Sequence, residues 1–400
     1  MADMKRNIMD ESLKMLRKIF SVTNNPPKTH KVVNILGIKI KKRIKGTIER
    51  NFREYNRKIG KVDAEIVHIM ANNVFTAAYY NMIKNQCDIS KHLFICYRGN
   101  LSSFLLHENN EDIIFGNINT IKFDLTKVKK IILHGLLESE IIDYFYKNRE
   151  CLEKCCWSIW GSDLYKKRGK KFDYVRKNVK AVITCYDYEN YRKIYAEKIV
   201  FNAYYLNPLS PYLSLKNKKK GKNAPVSILV NQCCAYETLD ALEELGKFKD
   251  ENVKIITPLA YIRLDENITP SDIIKAGERI FGDKYYPLTK YMAPNEYSKI
   301  IEKIDVMVVN LDFQGALGNL AAVLRCGGKA YLKSDTSGFK RLTEVVGLKI
   351  YPYEEIQSMN FKQFIKYPQK IKRNNINIET KFFSEEFCVK EWKKVFEGEF

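Results

Sequence analysis

From residue 65 onward, short apolar runs alternate with stretches of helical period. Residues 66–70, 93–97, 128–133, 156–159, 182–185 and 199–201 read as strands, and 74–83, 138–147, 165–178 and 189–196 as the helices between them. Such alternation predicts parallel sheet covered on both faces, because only a crossover helix returns the chain to start a parallel strand. The stretch 206–224 interrupts it with Pro208, Pro211 and a lysine-rich run at 216–222, which reads as a linker. The pattern then resumes: a strand at 226–230, a helix to Leu245, a strand at 253–257, and helices at 271–281 and 294–304. The expected organisation is an α/β fold of two Rossmann-like domains facing a central cleft. A basic N-terminal extension (1–60) precedes a first Rossmann-like domain (61–206), a linker (207–224), a second Rossmann-like domain (225–385) and a C-terminal helix (386–400).

The stretch 305–333 carries the clearest local signal. An apolar run at 306–311 leads into a loop with Gln314, Gly315 and Gly318. An apolar helix follows, then a Gly327-Gly328 stop and a second apolar run. Glycines at a strand-to-helix turn let the backbone approach a ligand, and the free N–H groups and positive dipole end near Asn319 favour a phosphate. The same residues can equally serve only to cap a helix packed on a sheet. On the ligand-binding reading, residues 314–319 hold a diphosphate, with Asn231 and Tyr261 lining the same pocket from neighbouring strand ends. Gly318 is then needed because a Cβ blocks the backbone approach, while Gln314 donates to a phosphate or sugar oxygen. Lys333 and Arg325 are near in sequence, Arg325 being the weaker candidate at the far end of the helix.

Charge changes the picture at the front of the chain. The net charge is +21, and in residues 1–60 Lys and Arg outnumber Asp and Glu by 16 to 5. A basic front end on a more balanced body fits an anionic membrane surface or nucleic acid. Ile8, Met9, Leu13, Leu16, Ile19 and Phe20 fall near one helical face among basic residues, so an interfacial helix or a helix packed on the body both fit. After the Pro-bearing break at 24–28, Ile38 and Ile40 alternate with Lys39 and Lys41. Tyrosines interleaved with Lys and Arg can stack on bases, but no nucleic-acid reader motif is present, and no nucleic-acid partner is expected. No apolar run approaches the ~18 residues of a membrane span. The ten cysteines have no CxxC and no zinc-like spacing, so reduced core cysteines in a cytoplasmic protein are expected.

Two loops of the first domain carry possible acid–base chemistry. His134-Gly135 directly follows a strand, and Asp163 follows Trp160-Gly161-Ser162 after another, so both fall at the carboxyl edge of the sheet. A carboxylate and an imidazole there can deprotonate a hydroxyl nucleophile, and Asp163 is the first choice and His134 the second. Each also has a plain structural role open to it, Asp163 as a helix N-cap and His134 as a buried hydrogen-bonding side chain. No D-x-D occurs, the nearest relative being Asp187-Tyr188-Glu189, so no metal ligand set and no cofactor is expected. A leaving diphosphate would instead be neutralised by a helix end and basic side chains.

Several strings together resemble a known family. The run Ser158-Ile159-Trp160-Gly161-Ser162-Asp163-Leu164-Tyr165, His134-Gly135 after a strand, Pro258 to Tyr261 after another, and Gln314 to Leu320 ahead of an apolar helix are similar to the TDP-N-acetylfucosamine:lipid II N-acetylfucosaminyltransferases, glycosyltransferase family 56. The similarity runs from about residue 64 to Trp392, and the Trp-Gly-x-Asp-Leu-Tyr string is its most specific part. The resemblance implies a GT-B architecture, a dTDP-activated deoxyamino sugar as donor, and an undecaprenyl-diphosphate-linked glycan as acceptor. It also implies a peripheral location on the cytoplasmic face of the bacterial inner membrane, with Trp160, Gly161 and Tyr165 on the acceptor side. One loop departs from the pattern: Asn231-Gln232-Cys233-Cys234-Ala235 lacks the Gly and Ser that the family usually has there.

Overall fold

The computed structural model describes three strands between residues 20 and 43 and residues 64–398, apart from 98–111, 117, 121–123, 166–167, 214–220, 222, 232–233, 261, 263–267 and 314. The early strands, β1 (Phe20–Asn24), β2 (His30–Ile35) and β3 (Ile38–Arg43), form an antiparallel meander. The Ile38/Ile40 alternation thus lies in a strand, while the expected helix at residues 8–20 falls almost wholly outside the described residues.

The first large sheet is built from β4 (Ile66–Ala71), β5 (His92–Tyr97), β6 (Ile113–Phe115), β7 (Lys130–His134), β8 (Cys155–Ser158), β9 (Ala181–Ile183) and β10 (Ile199–Phe201), in the order β10-β9-β8-β7-β4-β5-β6. The second comprises β11 (Val226–Val230), β12 (Val253–Pro258), β13 (Tyr285–Leu288), β14 (Val306–Val309), β15 (Lys329–Leu332) and β16 (Tyr351–Pro352), in the order β13-β12-β11-β14-β15-β16. Every described pairing within these two sheets is parallel. Each reverses its strand order beside its first strand, so a crevice opens at the carboxyl ends there. Central strands such as β5, β7 and β8 are buried along their whole length, as continuous apolar runs with helices on both faces require.

The chain passes between the sheets twice. The first crossing leaves β10 and runs through Ala203–Leu213 to β11. The second follows α12 (Gln369–Phe382), which packs on the second sheet's helices, and ends in α13 (Glu385–Glu397). α13 buries Cys388, Val389, Trp392 and Val395 in the core of the first sheet. Tyr204 ties the crossings together: its hydroxyl donates to the Phe382 carbonyl, and its own carbonyl accepts from the Trp392 indole at 2.7 Å.

Candidate active site

A cleft of about 550 Å³ lies between the carboxyl ends of the two sheets. One wall comes from β8 and the first crossing, and the other from the loops after β11, β12 and β14.

On the second-sheet wall, the chain leaves β14 and enters α9 (Leu317–Arg325) through Ala316, the one described non-glycine residue at positive φ (57°). Ala316 has no side chain with which to cap the helix, so the first-turn N–H groups at 317–319 take no capping bond from it. Residues 315–319 line the cleft. Asn319 donates to Asn231 Oδ1 at 3.1 Å and to the Tyr297 hydroxyl at 3.0 Å, which joins the β11 and β14 loops. Asn207, from the first crossing, donates to the Gly318 carbonyl at 2.6 Å. A Cβ on Gly318 would stand 3.8 Å from Asn207 Oδ1 and 3.9 Å from Phe75, in ordinary contact, so the fold itself does not require glycine there. At Gly315 a Cβ would meet Leu311 Cδ1 at 2.6 Å, so that glycine makes room for a neighbouring side chain. Asn231, Gly315, Gly318 and Asn319 therefore come together as expected of a shared pocket, and Gln314 and Tyr261 lie outside the described residues. Arg325, ranked low from sequence, lines the cleft as well; Lys333 instead pairs with Asp312. Close to Arg325 lies Glu379, whose buried carboxyl has no hydrogen bond in the structure and is pushed well above its ordinary range by burial.

On the first-sheet wall, Asp163 requires a correction. It is fully buried, with no exposure to the cleft. Its Oδ2 accepts from Leu136 N–H at 2.9 Å and Trp157 Nε1 at 2.7 Å, and its Oδ1 accepts from Trp160 N–H at 2.8 Å. Burial raises its pKa, although these three donors and Arg176 pull the other way. A carboxylate with its oxygens turned to three internal donors fixes the loops after β7 and β8; it does not stand at a loop tip to receive a proton. Gly135 and Gly161, at φ 85° and 82°, supply the left-handed turns that let those loops meet over it.

Trp160 does line the cleft, and its indole donates to the Tyr205 hydroxyl at 3.0 Å. Tyr165 does not; its hydroxyl donates to buried Asp187 and accepts from Asn190. His134 also needs correcting: it is 2% exposed and reaches the cleft only through Tyr205, whose hydroxyl sits 2.5 Å from His134 Nδ1. Tyr205 was not legible from sequence, because it follows the first sheet's last strand, just before the stretch read as linker, in no motif of its own. Behind it three histidines form a row. His134 Nε2 lies 3.1 Å from His68 Nδ1, and His68 Nε2 lies 2.9 Å from His92 Nδ1. Burial lowers all three, His134 to about 3 and His92 to about 4, so the rings are neutral at pH 7.

A family model described as 4-alpha-L-fucosyltransferase, glycosyl transferase group 56, matches residues 120–398. The chain belongs to this glycosyltransferase family. Solved structures similar to this transferase bear out the GT-B architecture of two sheets around a cleft. They include the N-terminal domain of Candida albicans trehalose-6-phosphate phosphatase, at TM-score 0.56 and 11% identity over 84% of this chain and 97% of that one. The trehalose 6-phosphate synthase of Burkholderia multivorans gives TM-score 0.55 at 8% identity, over 83% and 97%. WaaG, a glycosyltransferase involved in lipopolysaccharide biosynthesis, gives 0.50 at 6%, over 84% and 100%. Comparison with curated proteins finds no match. Among the described residues, no helix of the transferase is long and apolar enough to cross a membrane, and no three His, Cys, Asp or Glu side chains group as metal ligands.

Proposed function

We propose that this glycosyltransferase moves a deoxyamino sugar of the N-acetylfucosamine type from a dTDP-sugar to an undecaprenyl-diphosphate-linked glycan, working peripherally at the inner face of the bacterial cell membrane. The observation that carries the donor side is the open N-terminus of α9, where Gly318 and the Asn319–Asn231 pair face the cleft. Backbone N–H groups and the helix dipole there suit a diphosphate, and they stabilise the charge that grows on it as the glycosidic bond breaks. The opposite wall, with Trp160 and Tyr205, takes the acceptor hydroxyl; its indole face suits the apolar face of a sugar ring.

Leaving-group stabilisation without a divalent metal is the reading favoured by the Asp187-Tyr188-Glu189 run. Asp187 turns inward to Tyr165, while Glu189 pairs with Arg192, so the two carboxylates do not converge. The family's fucosyltransferase description supports a deoxysugar donor, and the basic residues 1–60 support attraction to anionic lipid. The test is a thermal-shift comparison of dTDP, UDP, GDP and CMP, followed by turnover of a dTDP-deoxyamino sugar with a lipid-linked acceptor. A ligand bound only by the native state raises Tm, and dTDP should raise it most. A larger shift with another nucleotide overturns the donor assignment.

A further inference from the structure

Three of the five histidines in the chain stand in a single hydrogen-bonded row that starts at the cleft. The row crosses the face of the first sheet from the end of β7, through the middle of β4, to the first residue of β5, and so ends at the opposite edge of the sheet from the cleft. α13 covers it: Phe396 sets its edge against His68 and His92 at centroid distances of 5.9 and 4.8 Å, and Trp392 stacks on His134 at 5.9 Å. Phe94 stacks on His68 at 4.4 Å, and the Tyr79 hydroxyl approaches His68 Nδ1 at 3.4 Å. A buried neutral imidazole is satisfied by one donor and one acceptor, and the row gives His68 and His134 a contact at each nitrogen. A continuous row, with both nitrogens of His68 and His134 engaged by ionisable neighbours, is what proton transfer requires.

We propose that Tyr205 is the group that takes the acceptor's proton in the glycosyl transfer proposed above, and that His134, His68 and His92 relay it to the far edge of the first sheet. The row has two aligned states, every ring protonated on Nε2 or every ring protonated on Nδ1. In the first, the Tyr205 hydroxyl gives its one proton to His134 Nδ1, the Ser158 hydroxyl 3.0 Å away then donates to Tyr205, and the acceptor hydroxyl replaces one of the donors at the Tyr205 oxygen. As the acceptor oxygen bonds to the donor's anomeric carbon, its proton passes to the Tyr205 oxygen while Tyr205's own proton passes to His134 Nδ1. The Nε2 proton of His134 passes to His68 Nδ1, that of His68 to His92 Nδ1, and that of His92 to water. The glycosidic bond to the diphosphate breaks with its electron pair on the leaving oxygen. All rings finish neutral and protonated on Nδ1. The row resets by the same hops in reverse, which deliver a proton from the far edge to cleft water or to the released diphosphate. No hop creates a lasting buried imidazolium or phenolate, in keeping with the neutral rings and the upward push that burial gives the Tyr205 hydroxyl. His92 itself is 3% exposed, and the charged groups around it at this edge of the sheet are Asp88, Lys91 and Glu65.

The test uses full-length enzyme with dTDP-N-acetylfucosamine and an undecaprenyl-diphosphate-linked acceptor in detergent. Tyr205→Phe should lower kcat by ~10²–10⁴-fold, the usual worth of a positioned acid–base group. His92→Gln sits at the far end from the substrate. It should lower kcat at least ~10-fold, leave Tm and nucleotide affinity near parental, and straighten the curved dependence of parental kcat on deuterium fraction that several protons in flight produce. Imidazole should restore turnover to His92→Ala. Histidine ¹⁵N spectra of the resting enzyme should show all three rings protonated on the same nitrogen. Parental kcat in folded His92→Gln and His68→Gln enzymes, or rings protonated on different nitrogens, overturns the relay even if Tyr205→Phe is slow. No transfer by the parent enzyme overturns the glycosyl-transfer reading itself, and the relay with it.

Discussion

Asp163 illustrates what residue-scale reading reaches and where it stops. Its string marked it as a residue that matters, but the donors that decide its role come from positions 136, 157 and 160, and only folding brings Leu136 to it across 27 positions. Asp163→Asn therefore predicts a stability defect. The amide turns a donor toward N–H groups, so a charged hydrogen bond is lost and a donor is left unpaired, at a cost of ~2–4 kcal/mol in urea denaturation. A folded variant with parental stability and lost turnover would instead return Asp163 to the chemistry. His92 gives a prediction with a sign. Burial lowers it from its ordinary 6.5 to about 4, so between those values the unfolded chain binds the proton and the native state does not. Its contribution is thus complete above pH 6.5 and lost as pH falls toward 4. His92→Gln lacks that loss and should gain ~3 kcal/mol on the parent between pH 7 and pH 4, read as the difference of two urea titrations.

Among elements, the buried parallel strands were legible because each is a bounded apolar run, and all six expected in the first sheet are present. In the two large sheets the strands not foreseen are short edge pieces: β6 with three residues, β16 with two, and β13, which contains Pro287. Three-residue pairing leaves too little pattern to read, and a proline argues against a strand. The helix expected at 165–178 is two helices, Ser162–Tyr165 and Lys170–Asn178, because Gly169 adopts φ 97° between them. The loop before α9 was legible from its glycines, yet the two differ in kind, since Gly315 yields to Leu311 and Gly318 faces open cleft. Gly318→Ala should consequently separate folding from binding. Alanine in a helix stabilises by up to ~1 kcal/mol over glycine. The same methyl stands where a diphosphate would meet the backbone, and should weaken dTDP binding ~10-fold, a cost of ~1.4 kcal/mol. Calorimetric titration beside a melting curve measures both; unchanged affinity would leave Gly318 a helix residue only.

At the scale of the molecule, two sheets and a cleft between their carboxyl ends follow from the broken alternation along the chain. The return of the C-terminus to the first sheet does not, because nothing in the apolar stripe of α13 says which core it enters. Trp392 is fully buried against the first sheet, and Lys130 at the start of β7 donates to the carbonyls of Val395 at 2.6 Å, Phe396 at 3.1 Å and Gly398 at 2.7 Å. A lysine aimed at the last carbonyls of a helix satisfies acceptors that would otherwise lack partners, and it favours the negative end of the dipole. The last helix therefore belongs energetically to the first sheet although the chain reaches it from the second, and β7 is held by residues 265 to 268 positions downstream. Trp392→Ala removes the largest side chain of this contact, the hydrogen bond to Tyr204 and the cover over His134. A large-to-small change of this kind costs ~3–5 kcal/mol. The loss should be localised: hydrogen exchange in β4, β5 and β7 should rise toward that of the unfolded chain well before exchange in β11, β12 and β14. Equal acceleration in both sheets would show that the two unfold as one cooperative body, with the Tyr204 crossings coupling them more strongly than α13 stabilises either.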